Sequence, residues 1–574
     1  MRLSLIISMN TRRAALAACS LLTLAACDRG AYEAVKVSRA PSAMVVSAHD
    51  LATRAGLGVL EDGGSATDAA IATQFALAVV CPRAGNLGGG GFFLVAPPGD
   101  GVRAIDYRER APAAATRDMY LEPDGSVSLT RSLKGASAAG IPGTVDGLWL
   151  AYTFDSKLED WPRLLRPAIR LAREGYSIST EEATRLNRYA GDFREINDFP
   201  MPFLREDGRE WQAGDRLVQP QLANTLDSIA ASGPSYFYEG SFAERLSNEV
   251  RERGGVWTAE DLVDYRSSFR DPVTFNYQQY EVYSMPPPSS GGVALAQMAG
   301  LLAPFDLANL LTTDTVAYYH VLIESMRRAY EDRAEYLGDP DFVDVPTDSL
   351  SAKPYLAQKW STFSSDSATD SGVALRALGK DVYETTHTSV VDAFGGAVSV
   401  TTTLNGNFGS KTYSRTGGFF LNNEMDDFSA KPGVPNQFGL VGGEANAIAP
   451  GKRMLSSMTP TIVMADDKPV LVLGSPGGST IITAVWQVTL NHLVHGMPLY
   501  QAVNMPRIHH QWLPDEVVIE VGALSPRVQA ELEAMGHRFR TASSIGRVKA
   551  IGRDGKTLIG VGDERSSDDS ARGL

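Results

Sequence analysis

Cysteine is scarce in this chain, with three among 574 residues. Two of them, Cys19 and Cys27, fall near the start, and Cys81 is left alone in the body, so an internal disulfide framework is excluded. A basic surplus is also missing. The 53 Lys and Arg stand against 67 Asp and Glu, for a net charge of −14. Without a basic stripe to displace counterions, this balance argues against nucleic acid as a partner. Past the N-terminus, no apolar run approaches the ~20 residues that a membrane-spanning helix requires. His387, His509 and His510 have no carboxylate or cysteine companions at ligand spacing, so neither a metal nor a cofactor is expected. What remains is a 44% hydrophobic, 21% charged composition typical of a globular protein. The length suits several domains or one large α/β unit.

The first residues read as a targeting segment rather than as fold. Arg12 and Arg13 precede an apolar run over 14–26 that ends in Leu24-Ala25-Ala26-Cys27. This predicts an export signal over 1–26. The ending resembles a bacterial lipobox, which implies lipidation of Cys27, a tether over 27–40 and a periplasmic, membrane-anchored protein. Leu16-Ala17-Ala18-Cys19 has the same pattern but leaves almost no apolar run before it. Asp28 favours retention in the inner membrane by the same resemblance. The alternative is an ordinary secretory signal with an incidental cysteine.

Beyond residue 40 the pattern mixes strands and helices. Residues 43–48 predict a short strand. Residues 68–80 predict a helix capped by Ser65 or Thr67 and stopped at Pro82, with Cys81 as a buried core residue. The glycine-rich loop 85–91 lacks a following Lys-Ser/Thr and enters a strand, so close backbone packing is expected rather than phosphate binding. Residues 158–268 read as largely helical, with further helices at 293–302 and 315–336. Residues 351–383, rich in Ser, Asp and Ala, read as a solvated approach to Glu384-Thr385. A strand pair, 459–464 and 469–473, turns around Asp466-Asp467-Lys468. Ser475-Pro476-Gly477-Gly478 then opens a helix reaching about 494.

The most informative stretch begins at Thr385. It reads Thr385-Thr386-His387-Thr388-Ser389-Val390-Val391-Asp392, turns at Phe394-Gly395-Gly396 and returns over 397–405. Val398, Val400 and Leu404 point one way; Thr401, Thr403 and Asn405 point the other. One face therefore feeds a core and the other presents hydroxyls and an amide. A threonine at the head of such a hairpin becomes a nucleophile if the chain is cut just before it. Its hydroxyl needs a base. The α-amino group of a chain terminus, with a reference pKa of about 7.7–8.0, supplies one near neutral pH.

The blocks around this hairpin carry a resemblance. They are T-T-H-x-S-V-V-D from Thr385, T-L-N at 403–405, L-N-N-E-M-D-D-F-S-A-K-P-G-V-P-N at 421–436, L-S-S-M at 455–458, G-S-P-G-G-S at 474–479 and P-R-I-H-H-Q-W at 506–512. Earlier come A-G-N-L-G-G-G-G at 84–91, Asp106-Tyr107-Arg108-Glu109 and P-P-P-S-S-G-G at 286–292. In this order they resemble the gamma-glutamyltranspeptidase (glutathione hydrolase) family over nearly the whole chain past residue 40. The resemblance implies the α/β, four-layer αββα sandwich of N-terminal nucleophile hydrolases. It implies self-cleavage between Glu384 and Thr385 into a large subunit (41–384) and a small subunit (385–574) that pair as a heterodimer. It implies transfer of a glutamyl group from glutathione or another γ-glutamyl donor to water, an amino acid or a dipeptide, through an ester on Thr385.

Residue roles follow from the same resemblance. Thr403 is expected to hydrogen-bond the nucleophile and Asn405 to help hold the donor. Gly477 and Gly478 are expected as the oxyanion hole, which suits a helix start with unpaired N–H groups. Arg108 is expected to bind the donor α-carboxylate with help from Ser456 and Ser457, and Glu424 and Asp427 to face its ammonium. A lid is expected over 431–443. There Phe438 replaces a tyrosine of familiar bacterial members, which implies a looser lid and more hydrolysis. Two rivals stand. One is an acylase of the same fold acting on glutaryl-β-lactams, against which the ammonium-facing pair and the full-length lid argue. The other is an uncleaved, inactive binding lipoprotein, against which the intact set Thr385, Thr403, Asn405, Gly477 and Gly478 argues.

Overall fold

The computed structural model describes residues 34–372 and 384–574. The expected signal, Cys27 and the last residues before the Glu384 junction lie outside them. At the centre are two seven-stranded antiparallel sheets. One runs, in spatial order, Val37–Ala40, Thr557–Gly562, Lys549–Asp554, Lys468–Gly474, Thr461–Ala465, Tyr280–Ser284 and Val273–Tyr277. The other runs Ser570–Gly573, Met44–Ser47, Thr386–Val391, Ala397–Thr403, Gly90–Ala96, Arg103–Tyr107 and Ser268–Arg270.

Strand alternation sorts the side chains into layers. Val390, Val398 and Val400 of the hairpin enter a core with the helix Ala66–Val80. Their neighbours Val391 and Ala397 face the opposite way, toward Leu471, Leu473 and Ala550 of the other sheet. Beyond that sheet the helices Gly291–Leu302, Thr315–Tyr336 and Ile481–Thr489 close the fourth layer. This is the expected αββα plan. The hydroxyl face of the hairpin lies between the sheets, not at the surface. Ser399 Oγ donates to Leu473 O (2.9 Å) and accepts from Thr461 N (3.0 Å), and Ser389 Oγ donates to Lys549 O (3.2 Å). An unpaired buried hydroxyl costs about 1–3 kcal/mol, so these bonds fix how the sheets meet.

Each sheet mixes strands from before and after residue 384. The expected cleavage point is thus interior to one fold rather than a boundary between two domains.

One expectation is corrected. Val37–Ala40 is not tether: it pairs with Thr557–Gly562, Val37 opposite Val561. Lys36 Nζ also donates to Asp569 O at 2.9 Å. Residues 351–372 are exposed or half-buried apart from Leu356, as expected of a solvated approach, but they carry more structure than their composition suggests. They include the helix Lys353–Trp360, and some of their polar groups bond the buried Glu324 and the half-buried Asp515. Thr369 Oγ1 donates to Glu324 (2.6 Å), and Ser371 N donates to Asp515 (3.2 Å). Composition alone does not reveal such partners.

Elsewhere the helix Ala66–Val80 starts two residues early, at a capping box between Ser65 and Asp68. Cys81 is buried, as expected. A Cβ on Gly89 would stand 2.2 Å from Thr403 O, so that glycine serves close backbone approach. Among the described residues, no single helix is long and apolar enough to cross a membrane.

Candidate active site

Thr385 stands immediately before the strand Thr386–Val391 and is 6% exposed. Its Oγ1 donates to the carbonyl oxygen of Glu384 at 2.7 Å and lies 3.2 Å from Thr403 Oγ1. Thr403 Oγ1 is itself 3.3 Å from Glu384 O and accepts from Asn405 N at 2.8 Å. With one lone pair so engaged, the Thr403 proton is directed at Thr385 or at the Glu384 carbonyl. Asn405, two residues past the strand Ala397–Thr403, sits in the left-handed region, φ +72°, which asparagine tolerates better than most residues. Its Nδ2 donates to Asn423 O at 2.9 Å.

The strand Lys468–Gly474 runs into the turn Gly477-Gly478 (φ +143° and +55°), which opens the helical segment from Gly478 onward. A Cβ on Gly477 would meet Thr480 Oγ1 at 2.6 Å and Gly546 Cα at 3.1 Å. The turn therefore places backbone N–H groups at a helix start, where they lack intrahelical acceptors and the dipole favours negative charge. Gly478 lines the same cavity as Thr385, whereas Gly477 lines a neighbouring one.

That first cavity collects the other expected residues: Arg108, Thr403, Asn405, Glu424, Asp427, Ser456 and Ser457. Its free space is about 20 Å³, room for a water but not for a glutamyl group. Arg108 extends from the end of the strand Arg103–Tyr107 and is wholly buried. It pairs with Glu424 and, at 2.6 Å, with Asp427 Oδ2; Glu109 lies 3.6 Å away. The residue expected for a carboxylate and those expected for an ammonium are thus joined to one another, because buried opposite charges neutralise each other. Burial works against the charge on Arg108, but Glu424, Asp427 and Glu109 outweigh it and hold its pKa above the ordinary value. Burial pushes the carboxyls of Glu109, Glu424 and Asp427 upward, with Arg108 opposing.

Ser456 and Ser457 line this cavity without bonding Arg108. Ser457 Oγ instead accepts from Arg333 Nη2 (3.1 Å), whose Nε reaches Ser290 Oγ (3.0 Å). Arg333 is a second buried guanidinium here, its pKa lowered by burial and by Arg108. Sequence reasoning missed it. The P-P-P-S-S-G-G block points to Ser290, but nothing in the helix pattern of 315–336 singles out Arg333.

Glu384 was expected only as the residue before the cut. Its carboxylate is buried and held by three arginines: Arg185 Nη1 at 2.6 Å, Arg547 Nη2 at 2.7 Å and Arg83 Nε at 3.2 Å. Burial opposes ionisation, but the arginines prevail and hold the carboxyl down at about 2. These arginines lie far apart in the chain, and no local pattern marks them.

In the expected lid, Asn436 Nδ2 donates to Asp427 Oδ1 (3.2 Å) and Gln437 N to Asp426 Oδ2 (3.0 Å). Phe438 and Leu440 cover the cavity. His387 bonds Thr401 and Ser389, His509 bonds Thr483 and Gln511, and His510 bonds Asp515. A separate buried group, His320, Glu324 and His537, lies close enough together for ligation. Glu324 there is already engaged by Arg327 and Arg328.

Comparison with known proteins agrees with this geometry. The family model for gamma-glutamyltranspeptidase matches residues 52–573. The chain is 44% identical to the glutathione hydrolase proenzyme of Escherichia coli K12, over 93% of this chain and 92% of that one. It is 38% identical to the proenzyme of Bacillus subtilis, over 93% and 91%. Among solved structures, the gamma-glutamyltranspeptidase of Helicobacter pylori aligns with a TM-score of 0.54 at 40% identity, over 56% of this chain and 91% of that one. A cephalosporin acylase from Bacillus halodurans aligns with a TM-score of 0.79 at 25% identity, over 94% and 97%. With the Thr385–Thr403 pair and the Arg108 pocket in one cavity, and a family match running almost from end to end, this chain belongs to the gamma-glutamyltranspeptidase family.

Proposed function

We propose that the chain is the proenzyme of a gamma-glutamyltransferase and glutathione hydrolase. The observation that carries this reading is the position of Thr385. Its hydroxyl touches the carbonyl of the bond to be cut, beside Thr403, and it lines the cavity that also holds Arg108, Glu424 and Asp427. In maturation, Thr385 Oγ1 adds to the carbonyl carbon of Glu384. The C–N bond breaks, the nitrogen takes a proton, and an ester joins Glu384 to Thr385. Water then cleaves the ester, leaving a carboxylate on Glu384 and a free amine on Thr385. In turnover that amine takes the proton of its own hydroxyl as Oγ1 attacks the γ-amide of glutathione or a related donor. The proton passes to the departing amine, and water, an amino acid or a dipeptide receives the glutamyl group.

Roles follow from placement. Thr403 steadies the attacking oxygen, and Gly477 and Gly478 donate to the oxyanion, each such donor being worth about 2.7–4 kcal/mol. Arg108 exchanges its internal partners for the donor α-carboxylate, aided by Ser456 and Ser457. Glu424 and Asp427, so released, face the ammonium, and Asn405 holds the donor. The large subunit ends at Glu384 and the small one begins at Thr385. The acylase reading has the aligned Bacillus halodurans structure in its favour, but glutaryl lacks the ammonium that the buried pair Glu424 and Asp427 would meet. The decisive experiment sequences the N-terminus of the purified mature protein. It then measures glutathione turnover for the native form and for Thr385→Ala. A single uncut but active chain would sink the reading.

The Leu24-Ala25-Ala26-Cys27 ending supports export and lipid attachment at Cys27, with Asp28 favouring the inner membrane. Labelled palmitate incorporated by the native protein and not by Cys27→Ser is the outcome this requires.

A further inference from the structure

The carboxylate of Glu384 fills a built anion seat. Arg185, Arg547 and Arg83 surround it, the last two almost fully buried. Among the described residues, the one other carboxylate within ion-pair distance of all three is Glu181, at 2.7, 3.5 and 3.7 Å respectively. Meanwhile the Glu384 carbonyl oxygen lies 2.7 Å from Thr385 Oγ1, where the acyl group of a donor must come. Turnover after cleavage therefore requires Glu384 to withdraw, and its carboxylate withdraws with it. Three guanidiniums are then left sharing Glu181, and buried charge without a counter-charge is costly.

The seat also lies on the correct side. A cavity of about 210 Å³ is lined by Arg185, Arg188, Glu384, Gly477, Arg547 and Arg565. The donor cavity holds Arg108, Thr385 and Gly478. The two meet at the bonds Glu384–Thr385 and Gly477–Gly478. An amide whose acyl part fills the donor cavity must project its amine part away from it, toward the cationic one. Resting on the gamma-glutamyl transfer reading, we infer that the vacated Glu384 seat binds the C-terminal carboxylate of the leaving or accepting peptide. Arg185 and Arg547 grip it, and Arg188 and Arg565 draw it in from the rim. Guanidinium forks suit a planar carboxylate. Two extended residues span about 7 Å, enough for a dipeptide to hold its amine at Thr385 and place its carboxylate within the cavity.

The test uses the mature enzyme with a γ-glutamyl anilide, whose leaving group carries no charge. Glycylglycine and glycylglycinamide serve as acceptors, with rates corrected to the free-amine fraction. The expected result is a preference of at least about tenfold in kcat/KM for glycylglycine. Arg185→Gln reduces this preference to below about threefold, judged against its own anilide hydrolysis. Arg188→Glu at the exposed rim lowers the same ratio and serves should Arg185→Gln remain uncut. Equal use of the two acceptors by the native enzyme would overturn the subsite. Failure to release any anilide would instead bring down the transfer reading and the subsite with it.

Discussion

The backbone N–H of Asn405 donates to Thr403 Oγ1 at 2.8 Å, and this one bond decides where the Thr403 proton can go. It leaves that proton to Thr385 Oγ1 or to the Glu384 carbonyl, the two atoms that react. Thr403→Val should therefore slow both self-cleavage and turnover, by about the 10²–10³-fold seen when an oxyanion donor is lost. Thr403→Ser should restore most of each. Densitometry of the uncut band over time, and kcat of whatever matures, checks both arms. Normal cleavage by the valine variant would contradict the assignment.

Asp427 touches both Arg108 (2.6 Å) and the lid residue Asn436 (3.2 Å). If it faces the donor ammonium in turnover, Asp427→Asn should cost γ-glutamyl anilide far more than glutaryl anilide. The ratio of their kcat/KM values should fall by at least about tenfold. An equal loss on both substrates would show that Asp427 only shapes the pocket.

Glu384 titrates at about 2 in the folded chain, against an ordinary value of 4.5. A depressed carboxyl contributes stability that is present above pH 4.5 and lost as the pH falls toward 2. The uncut Thr385→Ala protein should therefore exceed Thr385→Ala/Glu384→Gln in urea midpoint at neutral pH. That gap should close progressively on acidification through this window. A gap that does not change with pH would mean that the three arginines do not read the charge of Glu384.

Phe438 covers the donor cavity together with Leu440. Phe438→Tyr should supply the lid hydroxyl that the family resemblance leads one to expect beside Asn405. One added hydrogen bond is worth roughly 0.5–1.5 kcal/mol, so the ratio of transfer to hydrolysis should rise about two- to tenfold. An unchanged ratio at saturating acceptor would remove the lid from the account of water entry.

Much of this site was legible because it is local. The hairpin from Thr386 to Thr403 reveals itself by period-2 alternation; Thr403 ends its return strand, and Asn405, two residues on in the left-handed region, lines the same cavity. The turn after Gly474 announces itself by Ser-Pro-Gly-Gly. What stayed hidden depends on long-range meeting. Arg83, Arg185 and Arg547 are each unremarkable where they stand, yet they converge on Glu384. Val37–Ala40 looks like linker because an edge strand four residues long carries little pattern, and only its partner Thr557–Gly562 defines it. The closed pairing of Arg108 with Glu424 and Asp427 was hidden for another reason: motif roles describe a loaded pocket, whereas buried charges in the chain itself find one another first.

The interleaving of the two sheets has a lasting effect on the cut protein. Among the described residues, severing the chain at Glu384 frees no strand of either sheet, since strands on both sides of the nick remain laddered together. Exchange of fragments between molecules would need whole ladders to unzip, so mature heterodimers should keep their original halves for life. Separately made halves should not assemble into the same object on mixing.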